Sequence, residues 1–432
     1  MPTPSGPKIA IVGSGPSGCY LAQSLLRAAP GCELTIFDRL VSPFGLVRYG
    51  VAADHQHTKA IARQFDRLFQ HEAVRFAGDI EIGRDLGLDE LREHFDAVVL
   101  ATGLSADRGL GIPGGDLPGV VGAGALTRVL NAHPDAGALL PALGSDVVII
   151  GAGNVALDVL RFLVKGADDY ADSDVADPAL DAYLAAPAAR VTLVSRSSAA
   201  QSKGDPQMLR ELAQLPRANY TMIGDAGSAT ESALDRAAQG RVAAIGEMTA
   251  AERPTSPGPD VALRFGWSPV RVLGAERVEG VELARGDEQV VVSATSVVTA
   301  IGFASTGGDA LARLISDLEA DPGTGRIEAG LYRAGWAQRG PRGAIPENRT
   351  YAKLVADEIA ADLRSGALAL HPERRGFAGL PGSVRTRAVG YDQWLALDAH
   401  ERALAPEGRV RRKLPDHERM AAIARGAAES ER

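Results

Sequence analysis

The chain has 432 residues, 45% of them hydrophobic and 23% charged, with a formal net charge of −8. That length exceeds one ordinary core, so two or three domains are expected, and the composition is globular rather than disordered. No apolar run approaches the roughly 20 residues of a membrane span, the start has no secretory h-region, and the acidic balance gives no general pull on nucleic acid. Two cysteines, Cys19 and Cys32, exclude a disulfide framework, a C-x-x-C dithiol and a Cys-rich zinc or iron–sulfur site. A soluble, cytoplasmic, multidomain protein is expected.

Along the chain, the apolar run Lys8–Val12 predicts a strand, Gly13 to Gly18 a glycine turn, and the spacing of Leu21, Leu25 and Leu26 a helix. Pro30 and Gly31 stop that helix, and Glu33–Phe37 is the next strand, completing a βαβ unit. A helix carrying Ile61, Phe65, Leu68 and Phe69 on one face follows, then short strands near Val74–Phe76 and Ile80–Ile82, and a buried strand Ala97–Ala101. The Gly- and Pro-rich stretch 104–118 predicts a domain crossing. A second βαβ unit then starts with strand Asp146–Ile150, turn Gly151 to Ala156, helix Leu157–Val164 and strand Arg190–Val194. Within it, the acidic run Asp168 to Asp181 is expected to be a solvated excursion. Residues 261–301 predict β-hairpins closing on Ser296–Ile301, and a glycine-rich stretch precedes a helix from about Asn348 to Leu363. Near the end stand Arg409, Arg411, Arg412 and Lys413, expected as a solvated basic face or as a dock for an acidic partner.

Two motifs carry chemistry. Gly13, Gly15 and Gly18 fit G-x-G-x-x-G between a strand and a helix. The first glycine permits the turn, the second lets backbone approach a pyrophosphate, and the third lets helix and strand pack. The phosphates then face the positive end of the helix. Asp38, 20 residues beyond Gly18 at the end of the second strand, is placed to accept hydrogen bonds from ribose hydroxyls. Gly151, Gly153 and Ala156 form a second fingerprint, G-x-G-x-x-A, followed at the corresponding strand end by Ser195-Arg196-Ser197-Ser198 instead of an acid. An acid repels a 2′-phosphate and an arginine attracts one, so FAD is assigned to the first site and NADP(H) to the second. Two dinucleotides on one chain point to a flavin oxidoreductase passing hydride between them.

Longer segments resemble the adrenodoxin-reductase-type NADPH–ferredoxin reductases, bacterial ferredoxin/flavodoxin–NADP reductases among them. Residues 42–55 (SPFGLVRYGVAADH) are similar to that family's flavin-side motif, 153–159 (GNVALDV) to its NADP motif, and 334–345 (AGWAQRGPRGAI) to its C-terminal flavin motif. Smaller matches are 131–134, 209–212 and 411–413. The resemblance implies an α/β fold of two three-layer, Rossmann-like domains. The FAD domain is discontinuous, 1–108 with 326–432, and an NADP domain, 109–325, is inserted. It implies hydride transfer from NADPH to FAD, then single-electron transfer to a ferredoxin, an iron–sulfur protein.

Residue by residue, the resemblance places Gly13, Gly15, Ser17 and Gly18 on the FAD pyrophosphate and Asp38 on its ribose. Leu46 and Ile82 fall along the flavin, and Trp336, Gly343, Ala344 and Ile345 at the isoalloxazine and nicotinamide rings. Ala152, Gly153, Asn154 and Val155, after Gly151, fall on the NADP pyrophosphate. His55 and Asp158 match a histidine and a carboxylate near the flavin; charge compensation or proton handling and a purely structural tie both stand as readings. Arg210 matches an arginine of the ferredoxin-facing surface. The family's adjacent pair of 2′-phosphate arginines is reduced here to Arg196 and Ser197, and a glutamate that follows in the family is Met208, so NADPH preference is expected to be narrower. His57, His71 and His94 are expected to be surface or satisfied histidines. Cys19, Trp267 and Trp394 are expected to be packing residues. A diaphorase-like enzyme with a small-molecule or oxygenase acceptor, and a non-catalytic flavin-bound sensor, remain the alternatives. Oligomeric state is not legible.

Overall fold

The computed structural model describes residues 6–137, 139–224, 235–304, 324–340 and 345–426, with main chain alone at 345 and 346. The chain divides into two compact units, one of Met1–Ala106, His133–Asp135 and Phe303–Arg432, the other of Asp107–Ala132 and Ala136–Gly302. The sequence placed the crossings after 108 and 325; they fall after Ala106 and Gly302. Side-chain contacts account for the short return at 133–135. The His133 ring lies 4.7 Å from that of Tyr49, and Asp135 pairs with Arg39. Phe303 is drawn into the first unit by stacking on Trp336 at 5.4 Å.

The first unit is built on a six-stranded sheet ordered Arg326–Glu328, Leu331–Arg333, Ala97–Leu100, Lys8–Val12, Glu33–Phe37, Val74–Ala77. All neighbours are parallel except the first pair. Lys8–Val12 reads as an unbroken apolar run because both of its faces are covered. Ile9 and Ile11 enter the core shared with helices Pro16–Ala28 and Ile345–Ser365, while Ala10 and Val12 pack with Leu91, Phe95 and Leu100 opposite. The expected strand at Ile80–Ile82 does not form. Ile80 donates its N–H to the Asp38 carbonyl at 3.0 Å, and Ile82 makes only an isolated bridge to Leu86.

The second unit holds a six-stranded, wholly parallel sheet ordered Val120–Gly122, Ser296–Thr299, Asp146–Ile150, Arg190–Ser195, Asp260–Phe265, Asn219–Gly224. One face is covered by an antiparallel sheet of Ser268–Leu273, Gly280–Arg285 and Glu288–Ser293 through Val148, Ile150, Val194, Trp267, Val281 and Leu283. The hairpin expectation for 261–301 is thereby corrected: only 268–293 is antiparallel. Asp260–Phe265 is an inner parallel strand and Ser296–Thr299 another. Period-two alternation is common to both sheet types and carries no strand direction. The acidic run is likewise more embedded than expected, since Asp174 is buried and Asp169 accepts from the Gly166 N–H at 2.8 Å. Among the described residues no helix is long and apolar enough to cross a membrane.

Candidate functional site

Each sheet carries a glycine loop at the C-terminal end of an inner strand, with neighbours on both sides reached by separate connections, the position where open α/β sheets bind ligands. In the first loop Gly13 has φ +115°, and a Cβ there would stand 2.4 Å from the Ala101 carbonyl oxygen. A Cβ on Gly18 would meet the Gly13 carbonyl at 2.0 Å, so the helix–strand approach requires glycine. Around Gly15, in contrast, nothing lies within 4 Å of a built Cβ. The Pro16–Ala28 helix starts there with no side-chain cap and no acid in its first turn, leaving its first amides and positive end for an anion. An open cradle beside an uncapped helix start fits a dinucleotide pyrophosphate.

Other segments close on this loop. The Phe44 N–H donates to the Ser14 carbonyl at 3.2 Å, and a Cβ on Gly45 (φ +48°) would lie 3.1 Å from the Gly15 Cα. This seats the 42–55 motif against the loop and starts the Leu46–Tyr49 helix beside it. Gly335 (φ +68°) packs directly over Ser17, whose hydroxyl donates to Asn348 Oδ1 at 3.2 Å. Arg339 Nη2 donates to the same oxygen at 3.0 Å. Trp336 follows Gly335; its Nε1 is buried with no acceptor among the described residues. Ile82 is buried near the Phe37–Phe95 layer. Gly343 and Ala344 lie outside the described residues, and Ile345 opens the Ile345–Ser365 helix.

Asp38 does more than the sequence assigned it. Its Oδ2 accepts from the Ser14 amide at 3.0 Å and from the Ser14 hydroxyl, and its Oδ1 accepts from the Leu40 N–H at 2.9 Å. The carboxylate thus clamps the loop.

The second loop repeats the construction. Gly151 has φ +127°, with a built Cβ 2.4 Å from the Ala300 carbonyl, and Ala156 is fully buried against its strand. Gly153 has only the Lys203 Cβ near it, at 4.0 Å. The Asn154–Val164 helix starts uncapped and without a first-turn acid. Asn154 Oδ1 accepts from the Asp205 N–H at 2.8 Å, tying the loop, with Ala152 and Val155, to the next helix start. Arg196 is exposed, and neither its side chain nor that of Ser197 has a hydrogen-bond or ion-pair partner among the described residues. Lys203 and Arg210 are exposed; Met208 is half-buried.

The two charge-bearing candidates stand in different units. His55 heads the Gln56–Lys59 helix in the first, its ring 5.5 Å from His57. Asp158 belongs to the second, where Arg161 approaches it at 3.7 Å and also pairs with Glu211 at 2.9 Å. Cys19 and Cys32 are buried free thiols, pushed up in pKa chiefly by that burial, and Trp394 is buried against Phe44. They are packing residues.

Sequence reasoning missed one buried ion pair altogether. Arg48, inside the 42–55 motif, places Nη2 at 2.6 Å from both Glu401 carboxylate oxygens. Its guanidinium lies 4.8 Å from the Trp394 ring and 5.0 Å from that of Tyr49. The basic tail belongs to the same cluster, which corrects the solvated-face expectation. Lys413 is buried and donates to the Arg48 carbonyl at 3.1 Å, and Arg411 pairs with Asp398; of the four, Arg412 is the exposed one.

Comparison with known proteins agrees with this architecture. Residues 7–218 match the pyridine nucleotide-disulphide oxidoreductase family. A cindoxin reductase of Citrobacter braakii is 40% identical over 97% of this chain and 91% of its own length. A probable ferredoxin/ferredoxin–NADP reductase of Mycobacterium leprae is 36% identical over 97% and 78%. The mitochondrial NADPH:adrenodoxin oxidoreductase of Mus musculus is 32% identical over 96% and 91%. The structure of Mycobacterium tuberculosis FprA in complex with NADPH superposes with a TM-score of 0.88 at 30% identity, covering 98% of this chain and all of that one. The chain belongs to the adrenodoxin-reductase-type NADPH–ferredoxin reductase family.

Proposed function

We propose that this flavoprotein oxidoreductase oxidises NADPH, using FAD held by the first unit, and delivers electrons singly to a ferredoxin. The observation that carries this reading is the pair of uncapped, acid-free helix starts at two glycine loops, with an acid at the first strand end and an unpaired arginine at the second. Bound FAD supplies the conversion of a two-electron donor into one-electron steps.

The chain's own groups do the rest. Gly13, Gly15, Ser17 and Gly18 hold the FAD pyrophosphate, and Asp38 takes a ribose hydroxyl. Leu46 and Ile82 line the flavin, and Trp336 with 343–345 meets its ring. Gly151 to Val155 hold the NADP pyrophosphate, with Arg196 and Ser197 at the 2′-phosphate. His55 supplies compensating charge or a proton, with Asp158 as the carboxylate of the pair. We place the reaction in the cytoplasm, a setting in keeping with two buried free thiols.

Relatives are named for different acceptors, cindoxin, ferredoxin and adrenodoxin, so the acceptor is what the experiment must decide. Anaerobic NADPH should bleach the flavin of the purified protein, and a panel of ferredoxins, flavodoxins and quinones should show fastest turnover with a ferredoxin. Arg210→Glu should raise the ferredoxin KM, most at low salt, and leave dye reduction unchanged. A flavin that NADPH does not bleach would refute the enzyme reading; turnover fastest with a quinone would refute the acceptor.

A further inference from the structure

The strand end beside Arg196 contains a second arginine that no ion pair occupies. Strand Asp260–Phe265 runs parallel to Arg190–Ser195 with Arg264 opposite Val194 and Phe265 opposite Ser195. Past the strand ends the Trp267 N–H donates to the Ser195 carbonyl at 3.0 Å and the Gly266 N–H to the Ser197 carbonyl at 3.1 Å, so residues 266–267 close on the bend that carries Arg196. Paired residues on neighbouring strands share a sheet face, and so do residues two apart on one strand. Arg264 and Val194 therefore share a face, and Arg196 follows two residues beyond Val194 in the bend that Gly266 and Trp267 hold. One strand spacing plus two residues of chain keep the Arg264 and Arg196 Cα atoms within about 12 Å, within joint reach of one phosphate for two arginine side chains.

The charge around Arg264 is unbalanced. Its guanidinium lies 5.5 Å from the Trp267 ring, and that of Arg285 lies 4.7 Å from the same ring. Arg285 is paired with Glu288 at 2.7 Å. Arg264 has no carboxylate and no hydrogen-bond acceptor among the described residues; its Nε is buried and unpartnered, as is Nε1 of the buried Trp267. Burial first, and Arg285 second, lower the Arg264 pKa, so the site pays for holding this cation without a counter-ion. Two unmatched donors on one buried platform, at the C-terminal edge of a parallel sheet, mark a place for an anion.

We propose that Arg264 is the second cation reading the 2′-phosphate of NADPH, doing from the neighbouring strand what Ser197 cannot do next to Arg196. Trp267 is its positioning residue: the indole face fixes the guanidinium plane, as arginine stacking does elsewhere. The inference rests on the NADPH reading above and adds to it a specificity-determining residue outside both glycine-loop motifs.

The test is equilibrium binding of 2′,5′-ADP and of 5′-AMP to the FAD-loaded protein by calorimetry, which needs no turnover. Arg264→Gln should weaken 2′,5′-ADP by about 10- to 100-fold, the scale of a charge-assisted hydrogen bond, and leave 5′-AMP binding unchanged. In steady state the same variant should lose kcat/KM for NADPH by a similar factor through KM, with kcat and the NADH values retained. Arg264→Lys keeps the charge and should recover most of the 2′,5′-ADP affinity. Unchanged 2′,5′-ADP binding in Arg264→Gln overturns the proposal. So do equal losses for both nucleotides, which mean a distorted sheet edge, and an Arg264→Lys variant as weak as Arg264→Gln. A wild-type protein that binds 5′-AMP as tightly as 2′,5′-ADP overturns the NADPH reading itself.

Discussion

Removing Glu401 isolates the buried cluster that holds the flavin-side motif. Arg48 and Glu401 are 5% and 0% exposed, joined by two 2.6 Å hydrogen bonds, with the Leu414 N–H donating to Glu401 Oε1 at 3.1 Å. Burial works against the Arg48 charge and Glu401 more than offsets it, so the arginine stands above its ordinary pKa. Glu401→Ala leaves that guanidinium buried beside the Arg411 charge and should cost about 3–5 kcal/mol, the range for breaking a buried pair from one side. Arg48→Met with Glu401→Leu removes both charges and should recover most of that loss. The recovery is incomplete because the Arg48 contacts with Trp394 and Tyr49 also go, at about 0.5–2 kcal/mol. The assay is urea unfolding of the FAD-loaded protein followed in parallel by flavin fluorescence and far-ultraviolet circular dichroism, since a two-unit chain need not unfold in one step. A double variant as unstable as Glu401→Ala would show that the loss is packing, not stranded charge, and the reasoning would be wrong.

Two further outcomes follow from the same geometry. Gly15→Ala meets no protein atom within 4 Å, so the apoprotein should keep its circular dichroism spectrum while flavin per chain falls sharply; full flavin retention would refute the pyrophosphate placement. Asp79 is buried and accepts from Arg387 at 2.8 Å, from His417 at 2.8 Å and from Arg425, which offset its burial and hold its carboxyl at about 2 against an ordinary 3.8. A depressed carboxyl stabilises fully above its unfolded value and loses that contribution as pH falls through about 2. Asp79→Asn should therefore cost about 1.5–3 kcal/mol at neutral pH and converge with wild type in strong acid; a constant difference down to pH 2 would refute the assignment.

What the sequence made legible is what local physics dictates. Gly13, Gly18 and Gly151 could be recognised because a Cβ at each collides with backbone a few residues or one strand away, and the flanking apolar runs fix the strand and helix. Asp38 was legible as an acid at a strand end, but not its Ser14 clamp, because spacing shows where a carboxylate is and not which donors reach it. Arg48 and Glu401 are 353 residues apart, and only the closing of the discontinuous unit brings them together. The tail was misread for the same reason: Arg411 and Lys413 look like solvated charge until Asp398 and the Arg48 carbonyl are seen beside them. Arg264 was hidden by strand direction. Read as a hairpin, its strand had no reason to lie beside Ser195; as an inner parallel strand it must.

The two loops differ less in their glycines than in what their strand ends have left to offer. A carboxylate presents about four acceptor sites, and Asp38 already uses three, on the Ser14 amide, the Ser14 hydroxyl and the Leu40 amide. One remains, which the proposed reading gives to a ribose hydroxyl, and the negative charge stays in place against any 2′-phosphate. The second strand end is the reverse. Arg196, Lys203 and Arg264 carry charge with no ion-pair partner among the described residues, whereas Arg285, close to Arg264, is paired with Glu288. Hydrogen bonds to neutral hydroxyls need donors and acceptors already in register, which the Ser14 clamp provides. Selection of a dianion needs unspent positive charge, and a fold that neutralised these arginines internally would lose the discrimination. On the assignment proposed above, the strand-end chemistry, more than either glycine fingerprint, sorts the two dinucleotides between otherwise similar loops.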